Sequence, residues 1–146
     1  MLVPPPVLLV VLVAACFGAH ALWLDGFSYS PARIVVGCLV LVASVALIAS
    51  CGRLFKQAGT PVRPTSPVTT IVKAGPYRIS RNPMYLGMAL ILAGLGVLFG
   101  SYLFCAALVV FVAVVHFGVV LPEERYLESL QGETFREYKR QVRRWL

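Results

Sequence analysis

Residues 84–121 read MYLGMALILAGLGVLFGSYLFCAALVVFVAVVHFGVVL, 38 positions without one Lys, Arg, Asp or Glu, bounded by Pro83 and Pro122. As a single helix rising 1.5 Å per residue this run would reach ~57 Å, nearly twice the ~30 Å hydrocarbon core of a bilayer. It must therefore turn back, and Gly100-Ser101 is the natural place. The halves become two spans at about 84–99 and 102–121, the first near the short end of what can cross. Folding back also returns Glu123-Glu124 to the segment Gly75-Pro-Tyr-Arg-Ile-Ser-Arg-Asn-Pro-Met-Tyr-Leu-Gly87, where polar, aromatic and basic side chains crowd the mouth of the hairpin.

The remaining sequence fits the same solvent. Hydrophobic residues make up 59% of the 146 positions and charged residues 13%, with a mean hydropathy of +0.83. That is too apolar for an ordinary soluble domain. Two further uncharged runs give spans at about 4–24 and 34–52. The expected fold is a single all-α integral membrane domain, 1–146. It has about four transmembrane helices, a loop at 53–83, and a tail at 122–146 that carries an amphipathic interfacial helix.

A net charge of +7 would suggest nucleic acid in a soluble protein, but its distribution points to topology instead. Arg53, Lys56, Arg63, Lys73, Arg78 and Arg81 fall in the loop; Arg125, Arg136, Lys139, Arg140, Arg143 and Arg144 fall in the tail. Four spans put both segments and both termini on one face, which the positive-inside rule makes cytoplasmic. The expected partners are therefore the lipid bilayer and a lipophilic ligand, with no nucleic acid. No Lys or Arg precedes the first apolar run, so a retained first span is expected over a cleaved signal at Cys16 or Ala19-His20-Ala21.

Cys16, Cys38, Cys51 and Cys105 are scattered without a Cys-x-x-Cys pair, so neither a disulfide framework nor a metal site is expected. Pro61, Pro64 and Pro67 exclude a regular helix in the loop, and the β-branched run Val68-Thr-Thr-Ile-Val72 favours extended backbone. Gly94, Gly96 and Gly100 read as helix-packing residues; no strand precedes them, so they are not a dinucleotide fingerprint.

Asn82-Pro83 reads as the start of the third span, Asn as N-cap and Pro at the first helical position. A helix start with free N–H groups suits an anion, and Arg78 and Arg81 would reinforce it or else anchor to lipid phosphate. Tyr77 and Tyr85 are either interfacial anchors or an aromatic face for a cation such as a sulfonium. Glu123 and Glu124 either favour the first turn of a new helix after Pro122 or accept hydrogen bonds from ribose hydroxyls or an ammonium. His116 is the one ionisable side chain within the fourth span, where an imidazole bonded to a helix carbonyl is the plain expectation. Phe135, Tyr138 and Val142 form one apolar face in the tail, the other being basic; such a helix would lie on the anionic inner leaflet and could roof a site.

Together, Gly75-Pro-Tyr-Arg, Arg81-Asn-Pro-Met-Tyr-x-Gly87, Glu123-Glu124 and Gly132-Glu-x-Phe-x-x-Tyr138 resemble the isoprenylcysteine carboxyl methyltransferase family, and in part the related membrane phospholipid methyltransferases. The resemblance covers roughly residues 65–146. It implies a membrane enzyme that uses S-adenosyl-L-methionine, opens to the cytoplasm and admits a lipophilic methyl acceptor from the bilayer. It also implies cofactor contacts from Thr69, Thr70, Ile71 and Val72, from Tyr77, from Asn82, Pro83, Met84 and Tyr85, and from the acidic pair Glu123 and Glu124. Arg78, Arg81 and Tyr138 are supporting candidates. Protein-methylating members have Arg-His-Pro where this chain has Arg81-Asn82-Pro83, and a substrate arginine where this chain has Val119. The donor side is matched and the acceptor side is not.

Methyl transfer from a sulfonium is an in-line displacement, served by positioning and exclusion of water. A carboxylate acceptor needs no base, whereas an amine must first lose a proton. The side chains that could serve as one are the two glutamates and His116, which slightly favours a carboxylate or an acceptor deprotonated by water. Lipid-amine N-methylation is the alternative enzyme, and a non-catalytic membrane module the alternative from another class.

Overall fold

The computed structural model describes residues 4–23, 27–58 and 73–146. Thr69, Thr70, Ile71 and Val72 lie outside the described residues. Six helices account for nearly all of the rest: α1 (Pro5–Trp23), α2 (Pro31–Gln57), α3 (Pro83–Phe99), α4 (Tyr102–Val115), α5 (Leu121–Gln131) and α6 (Glu133–Gln141). A 3₁₀ turn at Gly75–Arg78 precedes α3, and a π turn at His116–Val120 joins α4 to α5. No strand occurs among the described residues, so the chain is all-helical.

Among the described residues three helices are long and apolar enough to cross a membrane: Pro5–Leu22, Pro31–Gln57 and Tyr102–Gln131. The α3 helix is shorter at 17 residues. Its end is dictated by Gly100, whose φ of +60° is a left-handed conformation that glycine adopts without steric cost and that closes the last turn. The chain then re-enters helix at Tyr102, so α3 and α4 form the hairpin that the long uncharged run requires.

Small residues bring α2 and α3 together. Gly37, Ser44 and Cys51 are the buried positions of α2, spaced seven apart on one face. A methyl at Gly37 would sit 2.7–2.9 Å from Leu98, and one at Gly87 would meet Ile48 at 2.6 Å. Gly94 faces Leu41 of α2, while Gly96 faces Phe104 of α4, so the glycines read as packing residues do serve both neighbours. Behind this seam lies a core of Met88, Leu92, Phe104, Phe111, Val115 and Val120, with Cys16 of α1 on its flank. At the opposite end from the acidic pair, His20 Nε2 lies 2.6 Å from Ser101 Oγ, tying α1 to the α3–α4 turn.

Two expectations are corrected here. Pro122 does not open a new helix; the helix runs unbroken from Tyr102 to Gln131. Proline has no N–H, and its ring would clash with the carbonyl four residues back in α register. The helix widens just before it, with the Leu121 N–H bonding to the His116 carbonyl five residues back. The second correction concerns the tail. The apolar face of Phe135 and Tyr138 in α6, with Val142 just beyond it, is 3–8% exposed and packs on Leu127 within the chain.

Candidate functional site

The site is assembled where the segment 75–85, the start of α5 and the last residues of the chain meet. A parallel bridge pairs Ser80 with Arg143, and the Arg81 N–H donates to the Arg143 carbonyl at 2.9 Å. Next to it the Arg144 carbonyl accepts from Asn82 Nδ2 at 3.0 Å and from Ser80 Oγ at 3.4 Å. Residues 142–146 thus form a strap across the entrance to α3.

Asn82 does stand at the N-cap position of α3, but its side chain makes no cap bond; its Nδ2 donates to the Arg144 carbonyl instead. Pro83 does stand at the start of the helix, and it is fully buried. Met84 and Tyr85 follow in the first turn.

The two glutamates have separate environments. Glu124 is buried and accepts from Arg144 Nε and Nη2, both at 2.9 Å, the planar fork of a guanidinium matching a carboxylate. Arg81 Nη1 stands 2.9 Å from the same carboxylate, and the side chains of Arg81 and Glu124 are each 10% exposed. Glu123 faces the other way and accepts from Tyr85 Oη at 3.4 Å, with no ion pair among the described residues. Burial lowers the pKa of Arg81, opposed by the nearby Glu124 charge, while the bonds to Glu124 raise that of Arg144.

Tyr77 is buried, and it faces α2. Its ring meets Phe55 edge-on at 5.6 Å, its hydroxyl hydrogen-bonds with Cys51, and its carbonyl accepts from Tyr138 Oη at 2.7 Å. Burial raises the pKa of Tyr77, and it pushes that of Tyr138 up to about 12. Tyr138 therefore acts through Tyr77, pinning α6 to the 3₁₀ turn. Arg78, by contrast, is exposed on that turn.

His116 also departs from expectation. Its Nδ1 accepts from the Trp145 indole N–H at 3.1 Å, so the tail supplies its partner, not a helix carbonyl. Of the residues that build the site, Ser80, Arg143, Arg144 and Trp145 were not singled out by spacing. Arg143 and Arg144 counted only as basic residues in a tail, because no local pattern distinguishes a bidentate arginine from a surface one. Among the described residues no group of three or more His, Cys, Asp or Glu side chains could hold a metal.

The helical fold thus gathers two carboxylates, arginines and tyrosines at one helix start, and comparison with known proteins identifies the class to which it belongs. Residues 32–134 match the family model described as phospholipid methyltransferase, and the chain belongs to that family. It is a family of membrane methyltransferases related to the isoprenylcysteine carboxyl methyltransferases. The match begins at the start of α2 and stops within α6, so the strap lies outside it. The chain is 34% identical over 132 residues to the cobalt-zinc-cadmium resistance protein CzcN of Cupriavidus metallidurans, covering 90% of this chain and 56% of that protein. It is also 40% identical over 63 residues to an uncharacterized protein of Haemophilus influenzae, covering 43% of this chain and all of that protein. No solved structure matches.

Proposed function

We propose that the chain transfers a methyl group from S-adenosyl-L-methionine to a lipophilic acceptor at the cytoplasmic face of a membrane, with four spans and both termini on that face. The observation that supports this most is the divided acidic pair. Glu124 is consumed by arginines, whereas Glu123, beside Tyr85 and the first turn of α3, has no ion pair among the described residues.

These residues fit the cofactor. A carboxylate free of cationic partners suits ribose hydroxyls or an ammonium, and Tyr85 supplies an aromatic face near a sulfonium. When bound, the cofactor supplies an electrophilic methyl on a positively charged sulfur. Glu123 and Tyr85 orient it, and Met84 contributes to the same first turn. Tyr77, packed on Phe55 and Cys51, holds the turn in place. The strap excludes water from the entrance to α3, which favours displacement over hydrolysis.

The acceptor of first choice is a carboxylate, which attacks the methyl without prior loss of a proton and yields an ester. Lipid-amine N-methylation is the second reading, and membership of the phospholipid methyltransferase family favours it; an amine must there lose its proton to a base. His116 is less suited to that task, since its Nδ1 lone pair already accepts from Trp145.

Calorimetric titration of the detergent-solubilised chain with S-adenosylhomocysteine tests the donor. Binding is expected in wild type, to be lost in Glu123→Ala and weakened in Tyr77→Ala. Absence of wild-type binding sinks both enzyme readings. Labelled methyl transfer into membrane extracts then separates the acceptors: a base-labile product is the ester, a base-stable one the amine.

A further inference from the structure

The strap is fastened near its end by a bond that one proton can break. The Trp145 indole N–H donates to His116 Nδ1 at 3.1 Å. An indole N–H can only donate, so Nδ1 must offer a lone pair, and the imidazole is the neutral form with its proton on Nε2. Trp145 is also the strap residue that packs against the main core, so bond and packing together hold that end of the strap down.

His116 meets the strap because it opens the π turn. The extra residue of such a turn swings the side chains before it by about 100° relative to those after it, compared with an unbroken α-helix. The widening that accommodates Pro122 therefore also sets the direction of His116.

A proton on Nδ1 would leave two donors facing each other across that contact. The two rings lie 6.2 Å apart at 31° with their nitrogens edge to edge, so the indole presents no face to an imidazolium charge. Charged groups on the neighbouring elements are engaged elsewhere. Glu123 of α5 is bonded to Tyr85 of α3, and Glu124 is shared by Arg81 and Arg144. Arg143 is exposed on the strap, and the described part of α1 carries no Asp, Glu, Lys or Arg. Among the described residues none of these groups bonds to the imidazole, so no carboxylate is paired with it to balance a positive charge.

We propose that His116 is a proton-sensitive latch for the strap. Neutral, it holds Trp145 and keeps the strap across the start of α3; protonated, it releases Trp145 and lets the strap lift. Imidazole is the side chain whose charge ordinarily changes between about pH 5 and 8, so the latch is closed at the upper end of that range and opens as pH falls through it. The latch itself stands apart from the methyl-transfer reading; only its consequence for the donor rests on that reading.

The chain has two tryptophans, so Trp23→Phe leaves Trp145 as the sole indole. In that background, quenching of Trp145 by neutral acrylamide is followed on the full chain in detergent from about pH 8 to about pH 5. Loss of a neutral hydrogen bond corresponds to about twofold to tenfold in the ratio of closed to open strap, and access is expected to rise accordingly as pH falls. His116→Asn supplies a non-titrating amide oxygen near the place of Nδ1 and should keep access low throughout, whereas His116→Ala should leave it high throughout. A flat profile with native His116 overturns the latch. So does an equal rise in His116→Asn, which would assign the effect to the carboxylates that also bind protons in this range.

Should neither variant fold, imidazole ¹⁵N resonances of the wild type decide. The chain has two histidines, and His20→Gln identifies which signals belong to His116. Nδ1 of His116 is expected to be unprotonated at about pH 8, and a proton found there would overturn the latch. Titration with S-adenosylhomocysteine reads the consequence, with affinity expected to fall about twofold to tenfold over the same range in wild type and to stay level in His116→Asn. Absence of binding at every pH removes the proposed function while Trp145 access still decides the latch. Affinity that stays level while Trp145 opens would refute the strap as a cover for the donor.

Discussion

At the scale of single residues, adjacent carboxylates that look equivalent in the sequence take opposite roles. Glu124 is buried between Arg81 and Arg144, so Glu124→Ala would strand guanidinium charge and cost about 3–5 kcal/mol. Glu123→Gln removes no ion pair among the described residues and is expected to cost under about 1 kcal/mol while abolishing S-adenosylhomocysteine binding. Thermal unfolding in detergent, read beside titration, checks both; equal losses of stability would refute the division. Tyr138 gives a pH signature. Burial raises its pKa from 10 to about 12, so the neutral donor to the Tyr77 carbonyl is favoured by folding. That stability is fully present below pH 10 and is lost as pH rises to about 12, with Tyr77 adding a slope of the same sign. Tyr138→Phe should lower stability by about 1–2 kcal/mol at neutral pH and flatten the alkaline fall.

At the scale of elements, the α2–α3 seam depends on what is missing from its glycines. A methyl at Gly37 meets the backbone of Leu98, which cannot move aside as a side chain would. Gly37→Ala should destabilise by about 1–3 kcal/mol, whereas Gly18→Ala, with open space around it in α1, should be neutral or stabilising by up to about 1 kcal/mol. Unfolding midpoints of the pair test the assignment; similar shifts would refute it. The π turn shows the same dependence on one local feature, since Pro122 lacks the N–H that an α register would use. The solvated pairs of Glu128 with Arg136 and Lys139 link α5 to α6 and contribute little, because water screens them.

At the scale of the whole molecule, the strap is the element that closes the site. Ending the chain at Gln141 removes the Arg143 and Arg144 carbonyls from Arg81 and Asn82, the fork on Glu124, and the indole from His116. Of the strap only Trp145 touches the main core, so far-ultraviolet circular dichroism should be largely retained while S-adenosylhomocysteine affinity falls at least about tenfold. Retained affinity would show that the strap is dispensable.

The hairpin of α3 and α4, the all-helical membrane character and the family were all legible in 146 letters. Hydrophobic run length, glycine punctuation and charge placement are local properties that act wherever the chain goes. The meeting of Glu123 and Glu124 with the 75–85 segment was legible for the same reason, because a run too long to cross once must return its ends to one face. What only tertiary structure decided is who pairs with whom there. Asn82 forgoes its cap for Arg144, Glu124 is taken and Glu123 spared, and His116 bonds to Trp145. Those choices join residues 20 to 62 positions apart, and pairing at that range depends on how elements pack, which no local spacing encodes.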